Sequence, residues 1–210
     1  PRQSLIDAGL YYLGKQGQCR GVPESRVVEV AIQSMGLDEL TPFDPADRVI
    51  EYRVKQDGPL VSMTVRDFVD TTSSDAPAPG GGSVAALCGS LSAGLSAMVG
   101  ALSVGKKGFD EVSPQLDEMA MAGQEHKEAL LGAIDADTDA FNEMMAANRL
   151  PKATPEQKAA RADAIVAAQK LATEVPLGVL ERCPAVVELA RAAGTHGLAA
   201  AASDAGTAAS

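Results

Sequence analysis

Ala76-Pro-Ala-Pro-Gly-Gly-Gly-Ser-Val-Ala-Ala86 joins a loop of prolines and glycines to a long apolar segment. Its two prolines stiffen the approach, its three glycines form a turn without side chains, and Ser83 is predicted to cap a helix. N–H groups at the start of a helix bind anionic or polar ligand groups well. Because no charged residue occurs between Asp75 and Lys106, the helix that follows is predicted to be buried. A glycine loop that leads into a buried helix indicates a ligand site.

The same glycines also satisfy a loose form of a nucleotide-binding pattern, GxGxxA, in Gly80-Gly-Gly-Ser-Val-Ala85. A dinucleotide site needs an apolar strand before the glycines and a βαβ unit around them, and here the sequence before them is Ala-Pro-Ala-Pro. The Lys-Ser/Thr ending of a P-loop is also missing. We therefore exclude both kinds of nucleotide site.

The composition of the chain favours packed helices. Its 210 residues are 46% hydrophobic but only 3% aromatic, with no tryptophan, so alanine and glycine must fill much of the core. A formal net charge of −10 argues against a general nucleic-acid binder. Cys19, Cys88 and Cys183 are widely spaced and form no zinc or disulfide motif. We predict reduced thiols, no metal and a cytoplasmic protein.

The uncharged span from Val84 to Val104 is long enough to cross a membrane. Four serines and three glycines interrupt it, and Cys88, Ser92, Ser96 and Gly100 recur every four residues. Such a seam of small residues lets a neighbouring helix approach closely. We therefore predict the central helix of a bundle rather than a membrane span.

The first 55 residues are predicted to form a small α/β segment. Helices are predicted over residues 3–15 and 23–35, the second one closed by Gly36. Residues 48–54 alternate and contain Val, Ile and Tyr, so a short strand is predicted there. Because one strand cannot form a sheet alone, residues 1–55 are interpreted as the end of an upstream domain, followed by a linker over 56–62.

From residue 63 to residue 210 the pattern is helical throughout. The helix-start signals are Thr64, Ser83, Ser113-Pro114 and the capping box Thr154-Pro-Glu-Gln. The last of these helices is predicted to be interrupted at Pro176, with further helices from Pro184 and from Gly197. The fold class is therefore predicted to be mainly all-α, a multihelical bundle preceded by a small α/β remnant.

One inward carboxylate is predicted on the long helix that starts at Ser113. At 100° per residue, its apolar face collects Leu116, Met119, Gly123, Leu130, Ile134, Phe141 and Met144. Asp137 lies within that face, whereas Asp135 and Asp139 point roughly the opposite way, so these acids do not form a metal cluster. A buried carboxylate is costly unless it is paired or functional, and burial raises the pKa of a carboxyl group, which suits a general acid. Asp137 is either a structural acid held by a helix N-terminus or an arginine, or a catalytic proton donor.

Two further charges are candidate ligand contacts, each with a structural alternative. Asp204 is the only charge after His196 and is predicted to point inward from an alanine-rich helix. Lys106 ends the uncharged helix, where it either complements the helix dipole or binds an anion. His126 shares the face of Asp137 but lies ~16 Å along the helix from it, so it is interpreted as structural.

Several motifs together resemble the formimidoyltransferase-cyclodeaminase family. Pro77-Ala-Pro-Gly-Gly-Gly-Ser-Val-Ala-Ala86 is similar to the signature of its cyclodeaminase domain, and Asp135-Ala-Asp-Thr-Asp-Ala-Phe-Asn142 to its Asp-Ala-Asp-x-x-Ala-Phe-Asn run. Gly105-Lys-Lys-Gly-Phe109 and Ser203-Asp-Ala-Gly206 also fit. Upstream, Leu37-Asp-Glu-Leu-Thr-Pro-Phe-Asp-Pro45 resembles the end of the family's transferase domain.

The resemblance implies a cyclodeaminase that converts 5-formimidoyltetrahydrofolate to 5,10-methenyltetrahydrofolate and releases ammonia, within a bifunctional enzyme of histidine degradation. It implies that residues 1–55 are a transferase-domain remnant and that residues 63–210 are a cyclodeaminase domain truncated at its C-terminus. It assigns catalysis to Asp137, no cofactor besides the folate substrate, and self-association as a dimer or higher oligomer. The implied folate contacts are Pro79, Gly80, Gly81, Gly82, Ser83, Lys106 and Asp204. The alternatives are a methenyltetrahydrofolate cyclohydrolase on the same fold and a non-catalytic helical oligomerisation module.

Overall fold

The computed structural model describes residues 2–55 and 57–210, and all regular structure in these residues is helical. The helices are α1 (Arg2–Lys15), α2 (Glu24–Met35), α3 (Pro45–Arg48), α4 (Ile50–Val54), α5 (Val65–Thr72), α6 (Gly81–Ser103), α7 (Ser113–Arg149), α8 (Pro155–His196), a 3₁₀ turn (Ala199–Ala201) and α9 (Ala202–Ala208). The prediction of a mainly all-α fold is confirmed.

The chain forms two compact units, which we call unit 1 and unit 2. Unit 1 contains the described residues before Asp57 together with Leu91–Lys127 and Ala185–Ser210, and unit 2 contains Asp57–Ser90 and Glu128–Pro184. The long helices α6, α7 and α8 each contribute residues to both units.

Unit 1 has its own apolar core, in which small side chains take a large share. Between α1 and α2 the buried residues are Leu5, Leu13, Val27, Val28, Val30, Ala31 and Ile32. A second cluster combines Val99, Leu116 and Met119 with Ala193, Ala201 and Ala205. Alanines at these positions let the helix backbones approach closely, as the low aromatic content of the chain requires.

Three of the predicted helix ends are confirmed, those at Thr64, Thr154 and Gly36. Thr64 accepts a hydrogen bond from the N–H of Asp67 (3.1 Å) at the start of α5. Thr154 and Gln157 form the predicted capping box at the start of α8, with N···O distances of 3.2 and 3.3 Å. Gly36 ends α2 in the left-handed conformation, with a φ of 66°.

The strand predicted over residues 48–54 is wrong, because these residues belong to the short helices α3 and α4. Asp44 accepts a hydrogen bond from the N–H of Ala46 (2.9 Å), and Pro45 takes the first helical position. Val49 is buried against α1 and α2. Since the described residues contain no strand that could pair with this segment, local helical hydrogen bonds satisfy its backbone instead. The α/β remnant of the prediction is therefore helical.

The predicted interruption at Pro176 is also wrong, because α8 continues through both Pro176 and Pro184 to His196. A proline inside a helix removes one backbone hydrogen bond, but the bonds on either side remain. Val179 and Val186 are buried on the turns that follow the two prolines, and their packing holds the helix together. The helix predicted from Pro184 is thus part of α8.

α6 is long and apolar enough, by length and composition alone, to cross a membrane, a test that core helices of other proteins also pass. Ser96 and Gly100 of the predicted small-residue seam are buried, whereas Cys88 is exposed. Leu91 and Leu102 are also exposed, at 59% and 44%. The expectation that this helix is buried all round is therefore wrong for one of its faces.

Leu130 of α7 is fully buried, with Gly89 of α6 beneath it. The Leu130→Ala substitution is expected to lower the free energy of unfolding by about 2–5 kcal/mol, because it removes buried methyl groups and leaves a cavity. Urea unfolding followed by circular dichroism measures this loss. Val166→Ala, at a position 65% exposed on α8, is the control and should change stability by less than about 0.5 kcal/mol.

Candidate active site

The carboxylate of Asp137 lies at the N-terminus of α6, beside the glycine loop. α6 begins at Gly81, and the C=O of Gly80 accepts the N–H of Val84 (3.1 Å) as the first helical hydrogen bond. The first N–H groups of the helix therefore lack helical partners. Asp137 Oδ2 accepts the N–H of Ser83 at 3.0 Å. A side chain of α7 thus caps α6.

Ser83 does not cap α6 as predicted, since it is the third residue of the helix and is fully buried. The glycines at 81 and 82 enter the helical conformation themselves, so α6 starts at Gly81 rather than after Ser83. Ser83 Oγ lies 2.8 Å from the carbonyl oxygen of Ile134 and 3.2 Å from Asp137 Oδ2. Its hydroxyl has a single proton, which it can donate to either of these two oxygens. Thr138 Oγ1 is 3.4 Å away. Ser83 therefore ties the glycine loop to the turn of α7 that carries Asp137.

The glycine loop touches Asp137 through one glycine in particular. A Cβ at Gly82 would lie 2.2 Å from Asp137 Oδ1, so any residue other than glycine would displace the Asp137 carboxylate. A Cβ at Gly80 would lie 4.0 Å from Oδ2, an ordinary contact, and one at Gly81 would meet nothing within 4 Å. Pro79 is buried and follows a cis peptide bond. The structure thus brings the predicted residues 79–83 and Asp137 together in unit 2.

The second oxygen of Asp137, Oδ1, differs from Oδ2 in its contacts. Asp137 is half-buried, and within residues 2–55 and 57–210 no donor contacts its Oδ1. Among these residues no fully buried side-chain oxygen or nitrogen lacks a hydrogen-bond partner, so Oδ1 retains contact with solvent. The contacts of Oδ2 are those of a structural acid held by a helix N-terminus, one of the two predicted alternatives. The other alternative, a catalytic proton donor, stays a prediction.

Asp135 was predicted to point outward, but its carboxylate holds the segment before α5. It accepts the N–H groups of Leu60 (2.8 Å) and Val61 (3.1 Å), and a Cβ at Gly58 would lie 2.1 Å from its Cγ. Helical periodicity gives no sign of this role, because its partners are distant in sequence. The predicted linker 56–62 is therefore anchored to α7 over its described part, and its first residue lies outside the described residues.

Lys106 and Asp204 lie in unit 1, so their predicted roles as folate contacts stay predictions. Lys106 is exposed and lines a cleft of about 400 Å³ together with Arg26. Asp204 is half-buried on α9, and its carboxylate has no hydrogen-bond or ion-pair partner among the described residues. Within the same residues, no three His, Cys, Asp or Glu side chains are placed to hold a metal ion.

The helical bundle is of the cyclodeaminase class. The crystal structure of formiminotetrahydrofolate cyclodeaminase from Thermotoga maritima matches it with a TM-score of 0.60 at 24% identity, over 70% of this chain and 69% of that one. The family model described as Formiminotransferase-cyclodeaminase matches residues 64–210, and that of the Formiminotransferase domain matches residues 1–55. The chain belongs to the formimidoyltransferase-cyclodeaminase family, as its motifs indicated.

Curated relatives agree with this assignment. Formimidoyltransferase-cyclodeaminase of Gallus gallus is 36% identical over 179 residues, which are 84% of this chain and 33% of the relative. That of Mus musculus is 36% identical over 90% of this chain and 36% of its own length. The chain thus spans about a third of the length of these relatives. Methenyltetrahydrofolate cyclohydrolase of Methylorubrum extorquens is 41% identical over 145 residues, 69% of this chain and 70% of that protein.

Proposed function

We propose that the chain carries a formimidoyltetrahydrofolate cyclodeaminase, which converts 5-formimidoyltetrahydrofolate to 5,10-methenyltetrahydrofolate and releases ammonia. It would do so within a longer cytoplasmic protein that also transfers the formimidoyl group from formimidoylglutamate to tetrahydrofolate. The observation that carries the proposal is the solvent-accessible Oδ1 of Asp137 beside the glycine loop. Folate is the substrate in this proposal, and no separate cofactor is needed.

In the proposed reaction, N10 of the folate attacks the carbon of the protonated amidine on N5 and forms a new C–N bond. The electrons of the C=N double bond move onto the terminal nitrogen, which becomes a neutral amine. This attack is intramolecular, so the protein mainly has to hold the substrate in the reactive geometry. Asp137 takes the proton from N10 and passes it to the amine nitrogen on the same carbon. The bond between that carbon and the amine nitrogen then breaks, ammonia leaves, and the carboxylate ends as it began.

The contacts of Asp137 are polar. Its Oδ2 accepts one backbone N–H, that of Ser83, at the positive end of the α6 dipole, and Ser83 Oγ lies 3.2 Å away. The sequence alone predicted a proton donor in apolar surroundings. With polar surroundings, we propose that the same residue acts first as base and then as acid.

We propose that the backbone of the glycine loop receives the folate. The N–H groups of Gly81 and Gly82 belong to the first turn of α6, where no helical acceptor exists for them. Space within 4 Å of a Cβ at Gly81 is open, so a ligand can approach the backbone closely. The roles of Lys106, as a partner of a glutamyl carboxylate, and of Asp204, as a folate contact, stay predictions.

The second candidate function is methenyltetrahydrofolate cyclohydrolase, with water as the nucleophile. The 41% identity to the enzyme of that name from Methylorubrum extorquens favours it. The match of residues 1–55 to a transferase domain favours the cyclodeaminase instead. Assays of the full-length protein with 5-formimidoyltetrahydrofolate and 5,10-methenyltetrahydrofolate, side by side, decide between them. Ammonia release from the first is expected, and hydrolysis of the second without ammonia release from the first would overturn the cyclodeaminase.

A function of another class is a helical oligomerisation module without catalysis. Calorimetric titration of the full-length protein with each folate tests this alternative. Saturable binding of 5-formimidoyltetrahydrofolate is expected. The absence of binding by either folate to a folded protein would favour the module.

We also propose that the protein self-associates through α6. Leu91, Met98 and Leu102 are 59%, 38% and 44% exposed and lie on one face at helical spacing. A second copy of this face would cover the apolar area. The Leu91→Lys/Leu102→Lys double variant is expected to halve the mass measured by light scattering. Val65→Lys, at an 84% exposed position on α5, should leave the mass unchanged, and a wild-type protein that is monomeric would contradict the proposal.

A further inference from the structure

A short segment of the transferase-family part, residues 17–21, is seated on α6 and α7 within unit 1. The side chain of Cys19 is buried in one cluster with Ala97 of α6 and Ala120 of α7. The backbone of Gly21 lies directly on Ala120, because a Cβ at Gly21 would be 2.2 Å from the carbonyl carbon of Ala120. Neither a side chain nor water fits between these two backbones.

Hydrogen bonds and an ion pair surround this apolar contact between residues 17–21 and the helices α6 and α7. Asp117 of α7 accepts the backbone N–H of Arg20 on Oδ1 (2.5 Å) and its Nε–H on Oδ2 (2.6 Å). The side chain of Asp117 is only 11% exposed, so without Arg20 it would be a nearly buried charge without its cation. Gln124 donates from Nε2 to the carbonyl oxygen of Gly21 (3.3 Å). Charge-assisted hydrogen bonds of this kind are stronger than neutral ones and fix the orientation of the partners.

The two sides of this contact belong to different family matches. Residues 17–21 fall within the transferase match, and α6 and α7 fall within the cyclodeaminase match. Asp117, Ala120 and Gln124 follow one another at helical spacing, so they form one stripe along α7. A dry apolar centre with an arginine anchor and hydrogen bonds at its edge has the composition of a specific protein–protein interface.

We propose that Ala97, Asp117, Ala120 and Gln124 form a docking site for residues 17–21 of the transferase-family part. This site holds the segment without a covalent connection, so the two parts stay associated after the chain is cut between them. The shape of the site selects its occupant, because the position of Gly21 excludes any residue with a side chain. The Asp117 carboxylate selects an arginine with a free backbone N–H beside that glycine.

Controlled cleavage of the full-length protein tests this docking. A protease site placed over residues 55–57 allows the chain to be cut between the two family matches, and size-exclusion chromatography then shows whether the fragments separate. The wild-type fragments are expected to elute together. Asp117→Asn is expected to weaken the association about 10- to 100-fold, since one charged partner is lost. Glu118→Gln, at an exposed neighbouring acid, is the matched control and should elute as the wild type.

Alkylation of Cys19 follows the same contact in the uncut protein. Cys88 is exposed and serves as the internal reference, whereas Cys19 is buried and burial raises the pKa of its thiol to about 12. Peptide mass spectrometry is expected to show that Cys19 is alkylated at least about 100-fold more slowly than Cys88. In Asp117→Asn the alkylation rate of Cys19 is expected to rise about tenfold or more. Arg20→Ala removes the other partner of the ion pair and is expected to raise the alkylation rate of Cys19 by a similar factor. This variant keeps the test decisive if Asp117→Asn fails to fold.

Three results would overturn the docking site. The first is separation of the wild-type fragments on cleavage. The second is equal alkylation of Cys19 and Cys88 in the folded wild type. The third is a Cys19 rate that neither Asp117→Asn nor Arg20→Ala changes. None of these measurements depends on folate chemistry, so they leave the proposed cyclodeaminase activity untouched.

Discussion

Replacing Asp137 with asparagine is expected to slow ammonia release from 5-formimidoyltetrahydrofolate by about 10²- to 10⁴-fold, the usual effect of removing a general acid–base group. The amide oxygen of asparagine can still accept the N–H of Ser83, so the N-terminus of α6 keeps its cap and the fold should survive. The amide cannot, however, take a proton from N10 and return it to the leaving amine. A coupled ammonia assay of the full-length protein measures the change in kcat.

Two controls accompany this substitution. Formimidoyl transfer, measured on the same preparation, should be unaffected, because its residues are expected elsewhere in the longer protein. Asp139→Asn removes an exposed carboxylate two residues further along α7 and should leave cyclodeaminase turnover unchanged. Wild-type ammonia release by Asp137→Asn would rule out Asp137 as the catalytic acid–base.

Substituting Gly82 with alanine is expected to lower kcat about 100-fold while leaving the protein folded. The new Cβ would lie 2.2 Å from Asp137 Oδ1 and 2.5 Å from its Cγ, so the carboxylate has to move by more than about 1 Å to reach an ordinary contact distance. A displacement of that size at a reacting group can cost about 10²-fold in rate. The same ammonia assay, with kcat and KM determined separately, measures this effect.

Gly132→Ala is the matched control for Gly82→Ala. It adds the same methyl group to α7, five residues before Asp137, at a position where a Cβ meets nothing within 4 Å. It should keep wild-type turnover and gain slightly in stability, because alanine favours a helix over glycine. Full activity in Gly82→Ala would show that the position of the Asp137 carboxylate does not limit the reaction.

Features of the fold that depend on neighbouring residues could be predicted from the sequence. The caps at Thr64 and Thr154 depend on side chains at the helix end, and the stop at Gly36 depends on the left-handed backbone conformation that glycine adopts readily. Periodicity placed Asp137 on the buried face of α7, since one face of a helix repeats every 3.6 residues. The sequence thus indicates the glycine loop and Asp137 separately, and their contact is a feature of the tertiary structure.

Features that depend on distant residues were missed. Asp135 holds backbone groups 74 and 75 residues away, and Asp117 holds Arg20 from 97 residues away. No local pattern encodes such partners. The strand predicted at 48–54 failed for a related reason, because a strand needs a partner and a helix does not. Asp117, Ala120 and Gln124 share one side of α7 at helical spacing, but their partners are distant in sequence and no local pattern names them.

The anchoring of the segment around Gly58 by Asp135 has a practical consequence for protein engineering. A reporter domain, an affinity tag or a longer connection between the two family parts belongs before residue 58, where Lys55 and Asp57 are exposed. Inserted between residues 58 and 62, the same addition would pull Leu60 and Val61 from the Asp135 carboxylate. Any fusion design that treats the whole interval between the two family matches as a flexible tether would therefore disturb the helix that carries Asp137.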